Sequence, residues 1–313
     1  MKRYVGRRIL LLIPTLFGMS ILTFGVSNLT PGDPAFTFAS RLANRPATPD
    51  EVAQAREDLG LEGGLVTRYV RWAGNAVQGD LGISFSTRLP VRPELVQAAK
   101  FTLQLAIPAA LLALLIAVPT GVVSAVRRNR PADQVLRVLS LAGASMPSFW
   151  LALLLVVLLA VNYSLLPAAG RAGTESYVLP IVTLALAPAA VLARFTRSAV
   201  LETLTTEYVV AARAKGAGEA VVVVRHALRN ALVPLVTAVG NSLGHLVGGA
   251  AVVETVFVWP GIGRLMVEAI LQRDYPVIAG IVLYSGAVFA VISLVVDLLY
   301  AVIDPRIRVG SDA

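Results

Sequence analysis

From Glu207 to Lys215 the chain sets Val209, Val210, Ala211, Ala212 and Ala214 among charged residues, and Gly216, Ala217 and Gly218 follow directly. Small and apolar side chains in such number are out of place on a free polar loop. They suit a short helix seated in a groove of another protein, with the alanines setting how closely it fits. The chemistry on offer is recognition, not bond-making. Glu207 to Lys215 are good helix formers, with Thr205 or Thr206 as N-cap, and Gly216 and Gly218 interrupt the helix with positions permissive of left-handed backbone. The spacing predicts a short helix, a sharp glycine turn and a second short helix, with Glu207, Ala211, Ala212, Lys215, Gly216 and Ala217 carrying the contact. The competing reading is a helix on the membrane surface, its arginines held by anionic lipid.

A second group of residues falls in an apolar run. Gly240, Gly244 and Gly248 recur every four residues and strip one helix face of side chains, for close helix packing or for a passing substrate. Asn241 and His245 are also four apart on a neighbouring stripe, where they would face a wet cavity or share an interhelical hydrogen bond. Asp297 is ionisable at membrane depth near the end of an apolar run, and interfacial solvation or pairing with Arg194 or Arg197 is favoured over a proton relay. Glu254 reads as an exposed interfacial acid, with gating or docking as the alternative. Trp259, Pro260 and Gly261 read as an aromatic anchor followed by a turn.

Several chemistries are excluded. The chain has no cysteine, so thiolate nucleophiles, disulfides and thiolate metal sites are out. His226 and His245 are too few and too far apart for an all-histidine metal site. No nucleophile, base and orienting group cluster in the sequence. No GxxxxGK[ST] phosphate loop occurs, so the chain does not itself cradle ATP in the usual way, and energy must come from a partner or an ion gradient.

The elements that position these residues lie in a bilayer. Of 313 residues, 56% are hydrophobic and 15% charged. That is too apolar for a water-soluble domain. A helix crossing the hydrocarbon core needs about 20 mainly apolar residues, and six stretches qualify. They run from about Ile9 to Leu29, Phe101 to Val126, Val135 to Leu165, Tyr177 to Ala199, Ala231 to Val258 and Val277 to Ile303. The basic leader MKRYVGRR precedes a long apolar run without a small-x-small site, so an uncleaved first helix is expected. Pro14 is tolerated there because neighbouring helices satisfy the freed carbonyl.

The net charge of +8 sits beside the spans instead of forming one basic face, so it orients the chain in a membrane and does not mark nucleic-acid binding. With the N-terminus inside, the short loops hold Arg127, Arg128, Arg130, Arg213, Lys215, Arg225 and others on the cytoplasmic side, as the positive-inside rule requires. Both termini are then cytoplasmic, the segment from Thr30 to Lys100 is extracytoplasmic, and the segment from 202 to 229 is cytoplasmic. A structureless loop of the first segment's length is improbable. TPDEVAQAREDLGL predicts a helix capped by Thr48 or Asp50 and ended by Gly60, within a small ordered cap.

The cytoplasmic segment resembles a motif of bacterial ABC importer permeases, Glu-Ala-Ala, three residues, then Gly, here met by Ala211, Ala212 and Gly216. Val210 stands at the motif's glutamate, with Glu207 nearby, and Pro234 lies farther from the glycine behind Val233; such departures are typical of the peptide-importer branch. RRILLLIPTLFGMSILTF, LTPGDPA, GDLGISF, MPSFWLALLL, RHALRNALVP, VVETVFVWPGIGRL, RDYPV and DLLYAVIDPRIR resemble, in that order, segments of dipeptide and oligopeptide permeases. The resemblance implies an all-α type I importer fold of six spans. Residues 1–97 would form the first span and outer segment, 98–303 the transmembrane domain with its coupling helix, and 304–313 a tail. It also implies a second, paralogous permease, two cytoplasmic ATPase subunits that bind ATP and Mg, and an extracytoplasmic binding protein, with lipid around and no cofactor on this chain. Short peptides are the implied cargo, with nickel, glutathione or haem as alternatives. An ion-gradient-driven transporter, the rival class, should show repeat-related broken helices and a midplane charged pair.

Overall fold

The computed structural model describes residues 2–29 and 33–303. The helices are α1 (Lys2–Leu29), α2 (Pro34–Ala43), α3 (Pro49–Asp58), α4 (Leu65–Val77), α5 (Val91–Val126), α6 (Pro131–Ser145) and α7 (Ser148–Leu155). They continue with α8 (Val178–Leu204), α9 (Glu207–Ala214), α10 (Glu219–Val221), α11 (Arg229–Val256), α12 (Ile262–Leu271) and α13 (Tyr275–Ile303). No strand forms among the described residues; Ile83 and Pro90 make one isolated antiparallel bridge.

Each of the six expected spans corresponds to a helix or a helix pair. By length and apolarity alone, α5, α8 and α13 each contain a stretch able to cross a membrane, and α6 with α7 adds a fourth if the pair counts as one span. Among the described residues α1 and α11 contribute shorter apolar runs, Leu10–Gly25 and Leu235–Gly244. The third span differs from its expected single helix. It bends by 102° between α6 and α7. Pro147 is the cause: it donates no backbone hydrogen bond and forces Met146 into extended geometry (φ −79°, ψ 123°). Beyond α7 the chain continues as π-helical turns, Val156–Asn162.

The core is a seam between α5 and α8. Leu105, Ala109 and Ala113 of α5 meet Ala185 and Ala189 of α8, and Leu246, Val253 and Phe257 close the cluster. Small residues let the backbones approach, as membrane helices require. At Gly121 an added Cβ would stand 2.6 Å from the Ala193 carbonyl oxygen, so only glycine fits.

Residues 33–90 form the ordered cap that the sequence predicts, built from α2, α3 and α4. Thr48 is the N-cap of α3: its hydroxyl accepts from the Glu51 amide, and Glu51 accepts from the Thr48 amide. Arg45 and the Thr48 backbone hold the exposed Glu51 carboxyl down at about 2. Gly60, at φ +63°, ends the helix with hydrogen bonds from Gly60 N to Glu57 O and from Leu61 N to Arg56 O. The cap is tied to the bundle through Asp274, just before α13. Its buried carboxylate accepts from the Ser84 hydroxyl at 2.5 Å and from the Phe85 and Ser86 amides at 3.1 and 3.0 Å. The segments GDLGISF and RDYPV therefore meet in space.

Candidate functional site: the glycine turn between the fourth and fifth long helices

The turn starts where α8 leaves the bundle. Thr206 is the N-cap of α9, in extended geometry, yet its hydroxyl donates to the Thr203 carbonyl and accepts from no amide of α9. Val209 is fully buried and anchors the helix. Glu207, Tyr208, Val210, Ala211 and Ala214 face outward, and Ala212 is half-buried. An apolar strip on a projecting helix is thus open to a partner.

Gly216 closes α9 at φ +82°. Gly216 N donates to Arg213 O at 2.9 Å and Ala217 N to Ala212 O at 3.2 Å, which together satisfy the last carbonyls of the helix. Gly218, expected to share the left-handed role, is extended (φ −65°, ψ 149°) and starts α10. No independent second helix follows. The three residues of α10 run straight into π-helical turns, Val222–Leu228, and on into α11. Sequence reading missed the clamp across the turn: Arg213 donates to both Glu219 oxygens, at 2.7 and 3.2 Å. Opposite charges flanking a glycine turn were the available signal. The pairing lowers the Glu219 carboxyl below its ordinary range and raises the Arg213 guanidinium.

Beneath the turn, Ala125, Ala199, Val200 and Ala227 form a small buried cluster that joins α5, α8 and the π-helical turns. Beside it Asp133 is fully buried. It accepts from Arg197 Nε and Nη2 at 2.8 and 2.9 Å, from Ser124 Oγ at 2.5 Å and from the Asn129 amide at 2.8 Å. Arg197, one of the two candidate partners of Asp297, thus donates both its Nε and Nη2 bonds to Asp133.

These helices and this turn can be set against known proteins. The family described as binding-protein-dependent transport system inner membrane component matches residues 117–309, and its N-terminal companion matches residues 1–106. The chain belongs to this family. The permease is 43% identical over 309 residues, 98% of its length and 99% of the relative's, to the glutathione transport system permease protein GsiC of Escherichia coli K12. The GsiC of Shigella flexneri serotype 5b is 42% identical over the same length. Among solved structures, the inward-facing MetNI methionine ABC transporter superposes with a TM-score of 0.59 at 22% identity, covering 67% of the permease and 96% of that chain. An amino acid ABC transporter does so at 0.51 and 17%, covering 68% and 94%. At those identities the likeness speaks for the fold alone, and that fold is the type I ABC importer permease fold.

The remaining residues of interest in the permease lie apart from the turn. Gly240 and Gly244 of α11 lie against Val296 and Phe289 of α13, a close helix contact. Asn241 is exposed on α11. His245 and Gly248 belong to α11, but their surroundings fall outside the described residues. Asp297 is half-buried in α13.

Two expectations are overturned. Glu254 is not exposed but fully buried. It accepts from Thr102 Oγ1 at 2.6 Å and from the Gly263 and Arg264 amides at 2.8 and 3.1 Å, while Thr102 in turn accepts from the Ile262 amide at 2.8 Å. Together Glu254 and Thr102 satisfy the orphan amides at the start of α12. Trp259 is not a surface anchor either. It is fully buried, its indole donates to the Phe101 carbonyl at 2.9 Å, and its ring meets Tyr177 edge-on at 4.7 Å. An aromatic ring after an apolar run looks the same in sequence whether lipid or protein covers it. Among the described residues no three His, Asp or Glu side chains gather as a metal site would need.

Proposed function

We propose that this permease carries short peptides, glutathione among them, inward across the bacterial inner membrane. The observation that carries the reading is the 43% identity to glutathione permeases across 98% of the chain. Glutathione is itself a tripeptide, so the relatives' cargo and the peptide-importer motifs agree in chemical class. In this reading a second, paralogous permease completes the pathway and an extracytoplasmic binding protein delivers the cargo. Two cytoplasmic ATPase subunits bind ATP and Mg, both termini are cytoplasmic, and this chain holds no cofactor.

The turn is the handle. With Val210 and Ala211 exposed and Val209 buried beneath them, α9 presents a rigid apolar strip to a cleft in an ATPase subunit. Closure and separation of the ATPases would move α9, and its buried base would carry α5, α6 and α8 with it through the Asp133–Arg197 pair. Packed helices shift as bodies, so a small displacement at α9 would switch the pathway between outward and inward openings.

The test is uptake by the assembled transporter in proteoliposomes with its binding protein. Labelled glutathione and dipeptides are expected to accumulate with ATP and to stop accumulating without it, while free amino acids enter poorly. Uptake on an ion gradient without ATP would replace the reading with a secondary transporter. A preference for free amino acids would replace the cargo.

A further inference from the structure

We infer that α4 is a bilayer-inserted helix, anchoring the cap to acyl chains along the valine edge of its apolar face. Laid on a helical wheel at 100° per residue, Leu65, Val66, Tyr69, Val70, Trp72, Ala73, Ala76 and Val77 fall on one continuous arc. Thr67, Arg68, Arg71, Gly74, Asn75 and Gln78 fill the rest. The polar side faces inward on the chain: Arg68, Arg71 and Asn75 line a cavity of about 350 Å³ between α4 and the start of α13.

The apolar arc is only partly covered. Tyr69 and Trp72 pack on α1: the Tyr69 ring meets Phe17 at 6.4 Å and Phe24 at 5.5 Å, Trp72 meets Phe24 at 5.7 Å, and Tyr69 Oη lies 2.8 Å from Ser20 Oγ. The other edge is bare. Val66, Val70 and Val77 are 76, 62 and 89% exposed. Bare valines on a helix in water would be costly, because the apolar surface they leave in solvent could have been buried.

What covers the bare edge follows from what α4 leans on. In a membrane-embedded permease α1 crosses the bilayer, and its own outward residues Ile13, Phe17 and Ile21 are exposed beside the α4 contact. Tyr69 touches Phe17 and Ser20, well inside the apolar run of α1 and not at its tip. A helix packed at that depth stands beside the same acyl chains as α1, so the valine edge continues the lipid-facing surface of α1. Apolar residues toward the chains and arginines toward a cavity on the other side are the arrangement of an amphipathic helix inserted in a bilayer.

The chain has no native cysteine, which makes a site-directed test clean. Val66→Cys, Val70→Cys and Val77→Cys, with Thr67→Cys and Gln78→Cys as polar-side controls, would be spin-labelled one at a time in the assembled transporter in lipid nanodiscs. Collision with oxygen, which partitions into lipid, is compared with collision with a water-soluble nickel chelate. The valine positions are expected to favour oxygen severalfold, and the two controls to favour nickel. Valine labels as open to nickel as Thr67→Cys would show an aqueous face and overturn the inference. Valine labels shielded from both reagents would show a protein partner on that edge and would also overturn it. A second readout places the reporter on the bare edge itself. In a Trp72→Phe, Trp150→Phe background, brominated acyl chains should quench the emission of Val70→Trp while buried Trp259 stays bright. No quenching of Val70→Trp counts against insertion.

Discussion

Glu254 sits where a charge is costly unless every oxygen is satisfied, and three donors meet it there. The isosteric Glu254→Gln keeps the volume but turns an amide group toward those donors. Leaving a buried donor unpaired costs about 1–3 kcal/mol, so the variant should lower the thermal unfolding midpoint of the purified transporter by several degrees. Gly261→Ala should do at least as much, because its Cβ would run into the Glu254 carboxylate itself. Thermal midpoints equal to wild type in both variants would show that this node is slack. None of it was legible in sequence. Thr102 lies 152 residues before Glu254, and an acid near the end of an apolar run reads as interfacial until its hidden partners are seen. The left-handed Gly216 was legible, because a glycine closing a helix is a local signal that needs no distant residue.

At the scale of elements, the Asp133–Arg197 pair joins the starts and ends of three helices: α6 carries Asp133, α8 carries Arg197, and α5 contributes Ser124. Removing one partner of a buried ion pair leaves the other uncompensated, at roughly 3–5 kcal/mol when burial is complete. Arg197 keeps some exposure, so Asp133→Asn should destabilise by less than that range, read as a lower unfolding midpoint. Exchanging the two residues should not restore stability, because Ser124 Oγ and the Asn129 amide would then donate toward a cation. Full rescue by the exchange would show that charge alone, without this donor set, holds the helices.

The glycine turn makes the second prediction about an element. Gly216→Ala must place a side chain at φ +82°, a strain of roughly 1 kcal/mol or more. Nothing lies within 4 Å of the added Cβ, so the cost is backbone strain and not collision within this chain. Ala212→Arg adds bulk and charge to α9 without strain. Under the docking proposal Ala212→Arg should leave the permease folded but cut ATPase association or binding-protein-stimulated ATP hydrolysis severely, with Gly216→Ala intermediate. A lipid-held helix would accept Ala212→Arg, since added positive charge strengthens attraction to anionic headgroups. Here local sequence signals sufficed for the helix and its stop. The break at Pro147 was also written in the sequence, but it lay inside an apolar stretch long enough to be taken as one span. The 102° bend depends on how α7 packs against α8 and α11, which no local pattern encodes.

For the whole molecule, sidedness is the expectation that rests on charge alone. If the bent α6–α7 pair counts as one crossing, three spans, α5, α6–α7 and α8, separate the cap from the turn and set them on opposite sides of the membrane. By the positive-inside rule the concentration of arginines beside the turn would place that end in the cytoplasm. Single cysteines separate the two ends, provided that they stand on exposed residues. Ala55, within the cap, is buried against α2 and would report packing, whereas Glu62 is exposed, as is Lys215 in the turn. In right-side-out vesicles an impermeant maleimide should label Glu62→Cys at once, and Lys215→Cys only after the membrane is opened. Inverted vesicles should exchange the two results. If both positions reacted from one side, the number of crossings between cap and turn would be even, and the bent α6–α7 pair would be a re-entrant hairpin instead of a span. If the pattern appeared with the sides exchanged, the positive-inside assignment would fall and α9 could not meet a cytoplasmic ATPase.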